Sequence, residues 1–460
     1  MIFDQTDTIA AIATPPGEGG VGIIRISGPD VWDIADQIFK PADGTPVSKR
    51  DHGTFAYGKV VDSDGSEIDN GLVLIMRAPK SYTCEDVVEI QGHGGTISLR
   101  RILRRTLEAG ARMAEPGEFT KRAFLNGRID LLQAEGIFDL IRARSDRATA
   151  TALEQMEGKL SQQFNTIYSA LMHVTANLET TLDFVEDELP DSVFSDIAQQ
   201  MDQTFQTLTD LLNTWDEGHL LREGAYVVIL GRPNAGKSTL LNLLLGFDRA
   251  IVSNQAGTTR DTIEEEWVLD GIPLRLIDTA GLRETDCDIE AEGIRRAEAH
   301  KETAQLTLYL LDASQPLHEE DQKRLQKLNP EKTILILNKT DLGTKINPAD
   351  LPFPHCIQTS FAKNSGLDEL RTCMKNCLEN GIDFHAAPHA VISERHRDLL
   401  IKAQEEAQKA RTYLNKNIEE NALFATEHLR TALEFLGQAT GQSYHEELLD
   451  NIFSRFCIGK

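Results

Sequence analysis

Short apolar runs bounded by glycine, proline and polar residues crowd the first 120 positions: VGIIRIS, GTFAYGKVV, GLVLIM and DVVEI. Runs of this length between turn signals predict strands, and their close spacing predicts hairpin-like pairing in a mixed α/β domain over residues 1–120. From Ile129 the period lengthens. Leu160, Phe164, Ile167, Leu171, Val174, Leu178, Leu182 and Val185 recur at steps of four and three, which keeps one apolar stripe along a helix. That pattern predicts an antiparallel bundle or coiled coil built by ordinary core packing. Gly218 and Gly224 then punctuate a return to alternating strand and helix signals, lasting to about Gly381. Pro388 in GIDFHAAPHAV breaks any helix there, and helical character resumes to the end. Ser443 and Glu446 predict a capping box for the last helix, with Leu449, Ile452, Phe453 and Phe456 on its buried face. Helical segments 121–217 and 381–460 thus flank an α/β insert at 218–380. The simplest packing joins both flanks in one helical domain from which the insert projects.

At 460 residues the chain has room for about three domains with their own cores. A formal charge of -25 disfavours bulk attraction to nucleic acid, so any RNA contact needs a local basic patch. Arg100, Arg101, Arg104 and Arg105 form one such run, read here as a solvated helix face. The 6 cysteines include no Cys-x-x-Cys pair, which fits a reducing compartment. Cys373 and Cys377 stand four apart on an expected helix; with no companion ligand near them in sequence they are not taken as a metal site. The N-terminus lacks the basic start and apolar core of a signal peptide, and no apolar run reaches the ~20 residues that span a bilayer. The expectation is a cytoplasmic protein with no membrane partner. GEGGVG at Gly17–Gly22 matches the dinucleotide fingerprint in letters only, because a strand-like run follows it; it is read as a Gly-rich turn.

The insert carries the chemistry. AYVVILGRPNAGKST reads as a buried strand, a loop bracketed by Gly231 and Gly236, and a helix start. Backbone N–H groups in such a loop wrap phosphate oxygens, aided by the helix dipole. Lys237 would neutralise the β/γ-phosphates and Ser238 would offer a hydroxyl to Mg²⁺. In LRLIDTAG, Asp278 ends a strand where it can hold the Mg²⁺ shell, and the Gly281 N–H can feel the γ-phosphate. TILILNKTD places Asn338, Lys339 and Asp341 after another strand; a carboxylate there accepts from the N1–H and exocyclic amine of guanine together. QAGTTRD offers Thr259 as a second Mg²⁺ hydroxyl in a loop that can order around the γ-phosphate. Four motifs in the required order predict a Ras-like P-loop GTPase domain. Leu282 follows Gly281 where Ras-type enzymes carry a water-orienting Gln, so another polar group must act. Arg283, Glu284, Asp286, Asp288, Glu290 and Glu292 are all near, and composition does not choose among them. In the last loop, TSFAKNSG, Phe361 replaces the alanine that commonly follows the serine.

GRPNAGKST, QAGTTRD, IDTAGLRET, ATPPGEGGVGIIRISG, EIQGHGG, PGEFTKRAFLNGRIDLLQAE and the terminal FCIGK together resemble the MnmE (TrmE) family of tRNA-modification GTPases, over the whole chain. The resemblance implies a multidomain α/β protein. Its parts are an N-terminal folate-binding and dimerising domain, a two-part helical domain, and an inserted G domain. It implies a homodimer working with a flavin- and NADH-using partner, MnmG (GidA), in a heterotetramer or larger, so that FAD enters only through the partner. The substrate would be C5 of the wobble uridine of certain tRNAs, receiving an aminomethyl or carboxymethylaminomethyl group. The one-carbon unit would come from 5-formyl- or methylene-tetrahydrofolate.

Carried onto this sequence, the resemblance gives a GTP site of Asn234, Ala235, Gly236, Lys237, Ser238 and Thr239, then Ser253, Asn254, Gln255, Ala256, Gly257, Thr258 and Thr259. It continues with Asp278, Thr279, Ala280 and Gly281, with Asn338, Lys339 and Asp341, and with Ser360, Phe361 and Ala362. Asn234 would be a K⁺ ligand beside Ser253, Gln255 and Thr258, the ion standing where other GTPases place an arginine. Glu290 would orient the attacking water, the bland alternative being a solvated acidic face. Lys237 and Thr259 complete the catalytic set. Folate would meet Arg25, Glu89, Arg128 and Lys460; the alternative for the first two is an ion pair without a ligand. Cys457 stands in a C-a-a-X position, but Gly459 and Lys460 suit prenylation poorly and no basic run precedes them. CIGK is therefore read as an ordered wall of a site. The rival to a tRNA-modifying enzyme is a regulatory GTPase switch in ribosome assembly or signalling.

Overall fold

The computed structural model describes residues 7–183, 191–247, 264–277, 304–379, 391–416 and 418–460. Two compact units emerge: 1–138 with 156–205 and 399–460, and 139–155 with 206–398.

The first unit holds a seven-stranded sheet of β1 (Ile9–Ile12), β2 (Gly19–Ser27), β3 (Phe39–Pro41), β4 (Phe55–Val61), β5 (Glu67–Met76), β6 (Val87–Gly94) and β7 (Arg112–Met113). Their order is β3-β4-β5-β6-β2-β1-β7, antiparallel apart from the β1–β7 pair. β2 opens at Gly19, so the glycine run leads into a strand and not into a dinucleotide-binding helix. Alternation sorts the sheet's faces. Ile24 and Ile26 enter a core shared with helices Val31–Ile38 and Thr96–Glu108, and the intervening Arg25 points to the other face. There Ile9, Ala11 and Phe119 pack together, covered by helix Glu118–Leu125.

Helix Lys159–Asp183 buries Leu160, Phe164, Ile167, Leu171, Val174 and Leu178, the part of the predicted stripe from Leu160 to Leu178; Val185 lies outside the described residues. It packs along helix Ile418–Thr440, with Arg430 paired to Glu179 at 2.8 Å, so helices from both flanks meet inside this unit. The last helix, Glu446–Phe453, buries Leu449, Ile452 and Phe453 as expected. Its cap is not the expected one. His445 occupies the N-cap, which places Glu446 at the first helical position, two short of where a capping box needs it.

The second unit is built on a six-stranded sheet of β8 (Ala225–Gly231), β9 (Glu264–Leu269), β10 (Ile272–Ile277), β11 (Leu306–Asp312), β12 (Thr333–Asn338) and β13 (His355–Gln358). The order is β13-β12-β11-β8-β10-β9, parallel except for the β9–β10 hairpin. The inner strands are buried on both faces, which explains the unbroken apolar letters of TILIL and LTLYLL. Chain order reverses at β8: β10 lies on one side, β11 on the other. Such a switch point opens a crevice beyond the strands' carboxyl ends.

Candidate functional site

The loop after β8 lies at that crevice. Gly231 has φ 143 and Gly236 φ 108, backbone shapes that side chains rarely adopt. Space forbids a side chain as well. A Cβ on Gly231 would stand 2.5 Å from the Leu310 carbonyl oxygen, and one on Gly236 2.4 Å from Asn338 Nδ2. Between them Asn234 takes a left-handed φ of 63. Helix Lys237–Phe247 starts at once, so Ser238 and Thr239 lie exposed in its first turn, beside its free N–H groups. Lys237 Nζ donates to the carbonyls of Gly231 (2.9 Å) and Arg232 (3.1 Å), which fixes the ammonium against the loop that phosphates would fill.

Asn338 fastens three loops. Its Nδ2 donates to the Ala235 carbonyl at 2.9 Å, and its Oδ1 accepts from the Phe361 N–H at 3.2 Å and the Thr359 hydroxyl at 3.4 Å. Asn338 is 3% exposed, so these bonds are shielded from water. Lys339 follows with φ 66 and pairs with Asp312 at 2.7 Å. Burial raises the Asp312 carboxyl, but the Lys339 ammonium and two bonds from Ser314 outweigh it and hold it below its ordinary value. Asp341 accepts from the Ser360 hydroxyl at 2.7 Å, leaving the exposed carboxylate oriented for a base edge. Phe361 is buried in the core beneath, next to Gly236; its N–H, not its ring, takes part in the network. Ala362 follows it in a single 3-10 turn. Ser253, Asn254, Gln255, Ala256, Gly257, Thr258, Thr259, Asp278, Thr279, Ala280, Gly281 and Glu290 lie outside the described residues.

A second cluster forms in the first unit. Arg25 and Glu89 face each other across β2 and β6, and Arg25 Nε donates to Glu89 Oε1 at 2.8 Å. Arg25 Nη1 also donates to the Gly459 carbonyl at 3.1 Å, a bond spanning 434 positions of sequence. The tail is ordered there. Gly459 has φ 95, and a Cβ on it would stand 2.4 Å from the Ile12 carbonyl oxygen, so only glycine lets the chain approach so closely. The Cys457 carbonyl accepts from the N–H groups of Gly117 (3.4 Å) and Lys460 (3.3 Å), and the Cys457 side chain is exposed. Arg25 lies 5.6 Å from the Phe119 ring centre and 5.7 Å from that of Tyr82. Arg128 reaches Tyr82 from its own side, also at 5.7 Å, and donates to the Ser81 carbonyl. Burial raises the Tyr82 phenol, against its bond to Thr120 and the two guanidiniums. Behind this cluster Arg122 bonds Asp7, Glu85 and Glu118 while buried. Sequence reading missed Arg122; its signal is the one-turn spacing of Glu118 and Arg122 in EFTKRAFL.

One correction concerns the cysteines. His355, which opens β13, lies beside Cys373 and Cys377 of helix Leu367–Glu379, so a companion ligand exists in space. The hydrogen bond from Cys377 pulls the Cys373 thiol down to about 6, with His355 adding to it against burial. The same bond and burial push Cys377 upward.

Glycine-bracketed loop, helix start and guanine-edge carboxylate at one switch point define the second unit as a P-loop G domain. The full chain can be placed more narrowly. Residues 8–128 match the family model described as GTP-binding protein TrmE N-terminus, and residues 131–457 match the MnmE helical domain. A Lactiplantibacillus plantarum protein named tRNA modification GTPase MnmE is 43% identical over 99% of both chains. One of the same name from Geobacter sulfurreducens is likewise 43% identical over 99% of each. The solved G domain of the T. maritima FeoB iron transporter aligns with 33% of this chain and 98% of its own, at 28% identity and a TM-score of 0.26. This chain belongs to the MnmE family.

Proposed function

We propose that this chain hydrolyses GTP and couples that hydrolysis to modification of the wobble uridine of certain tRNAs. The observation that carries the first part is the Asn338 network, which clamps the phosphate loop to the two base-recognition loops while Ser360 orients Asp341. Family membership and the names of the relatives support the second part.

The chain's own groups divide the work. Backbone N–H groups of Asn234–Thr239 and the Lys237 ammonium hold the phosphates, and Asp341 selects guanine. Ser238, exposed at the helix start, and Thr259 would hold Mg²⁺, and Asn234 with Ser253, Gln255 and Thr258 would hold K⁺. These cations supply positive charge where negative charge grows on the phosphates. Glu290 orients the attacking water in place of the Gln that Leu282 displaces. Faster hydrolysis in K⁺ than in Na⁺ is expected, and equal rates would reject the K⁺ ligands.

The Arg25–Glu89 cluster suits a folate derivative. A carboxylate such as Glu89 pairs with a pterin's amine and N–H edge, Tyr82 and Phe119 lie against the Arg25 that holds it, and Arg128 and Lys460 suit an anionic glutamate tail. The folate supplies the one-carbon unit, and a flavoprotein partner, MnmG, supplies FAD. Pairing of two copies is supported by the outer face of the sheet. Phe55 and Tyr57 of β4 are 68% and 58% exposed, and Leu72, opposite Tyr57 on β5, is 37% exposed.

Mass spectrometry of wobble-uridine nucleosides from cells lacking the chain tests the proposal. Loss of the aminomethyl-type modifications is expected. An intact profile would transfer the case to a regulatory GTPase switch.

A further inference from the structure

The His355–Cys373–Cys377 group lies at the edge of the G domain where β13 meets helix Leu367–Glu379, and it serves neither site described above. Its ligand atoms, one imidazole nitrogen and two sulfurs, all lie within 4.8 Å of one another. Zn–S and Zn–N bonds near 2.3 and 2.0 Å place tetrahedral ligands about 3.5–3.8 Å apart, so movements of about 1 Å close the group. Rotation of three half-buried side chains supplies that much.

Helical spacing explains why the two thiols line up. Leu367, Leu370, Met374 and Leu378 bury the helix's inner face, and Glu369, Cys373 and Cys377 follow one another at one-turn steps along its flank. His355 borders the same open cleft of about 440 Å³, together with Asp368, Glu369 and Thr372. The two exposed carboxylates make the cleft attractive to a cation. The neighbouring Cys356 takes no part, because it packs against the core on the opposite face of the sheet.

We propose that His355, Cys373 and Cys377 bind one zinc ion, with the fourth position open to the cleft. A mixed imidazole–thiolate donor set suits zinc better than the hard cations of the nucleotide site. The ion fastens β13 to helix Leu367–Glu379, the two elements on either side of the loop carrying Ser360 and Phe361. It thereby braces the guanine end of the pocket from behind.

The test titrates Co²⁺ into the full-length, reduced, metal-stripped protein and follows the thiolate-to-cobalt charge-transfer band. One equivalent is expected to saturate the band, and Zn²⁺ to displace it. Cys373→Ser with Cys377→Ser should abolish the band, His355→Ala should weaken Co²⁺ at least tenfold, and Cys457→Ser should leave it unchanged. Zinc should raise the thermal midpoint of the unaltered chain and not that of the double variant. A band that never saturates, or survives in the double variant, overturns the proposal. So does the loss of two titratable thiols without metal uptake, which would assign the pair to a disulfide. Should the double variant fail to fold, His355→Ala alone decides: unchanged Co²⁺ affinity rejects the site.

Discussion

The two candidate sites are built by different means. In the G domain the phosphate loop works through backbone, bent by Gly231 and Gly236 and fastened by a single buried amide, Asn338. In the N-terminal unit the pocket is made of side-chain charge, with Arg25 shared between Glu89 and the carbonyl of Gly459. A backbone cradle needs consecutive residues and therefore leaves a motif. A side-chain cradle draws on any position that the fold brings near, and its residues are scattered from 25 to 459.

That contrast can be attacked at its most concentrated point. Asn338→Ala removes three bonds at one buried group and should weaken GTP binding by about 1–3 kcal/mol, roughly five- to 150-fold, in a fluorescent-nucleotide titration. A smaller loss than for an exposed loop substitution would show that the three loops hold together without it. In the other pocket, Arg25→Ala strands the mostly buried Glu89 carboxylate. It should cost about 2 kcal/mol in denaturant unfolding, between the values for exposed and for buried pairs. A neutral result would mean that charge does not hold this cluster.

Gly459→Ala separates tail docking from the charge pair. It sets a Cβ against the Ile12 carbonyl and strains a φ of 95, and should cost about 1 kcal/mol while loosening folate binding, measured by calorimetry. The smallest effect concerns the Asp312–Lys339 pair. Asp312 has a folded pKa below its ordinary 3.8, so its contribution to stability is fully present above that value and fades as pH falls through the lowered one. Asp312→Asn should therefore reduce stability near neutral pH, and the gap between the two proteins should close below pH 3.8 in acid unfolding.

Legibility in the sequence followed the same division. Strand–loop–helix order, the apolar stripe from Leu160 to Leu178 and the Asn338–Asp341 loop could be read directly, because local spacing causes them. Residue spacing said nothing of the bond from Arg25 to Gly459 or of the buried Arg122 network, since both depend on long-range packing. Only the family resemblance pointed to the tail. His355 was invisible as a companion to Cys373 for the same reason: it arrives on a neighbouring strand 18 positions earlier. The capping box failed at close range. Tyr444 and His445 extend the chain past Ser443 before the helix begins.

Coupling of GTP hydrolysis to tRNA chemistry is the central claim, so the decisive measurement joins them. Nucleoside mass spectrometry would be run on cells whose sole copy carries Lys237→Ala, with folding of the variant verified by its unfolding transition. Coupling requires wobble-uridine modification to be as depleted as in cells lacking the chain. Full modification alongside abolished GTP hydrolysis would contradict it.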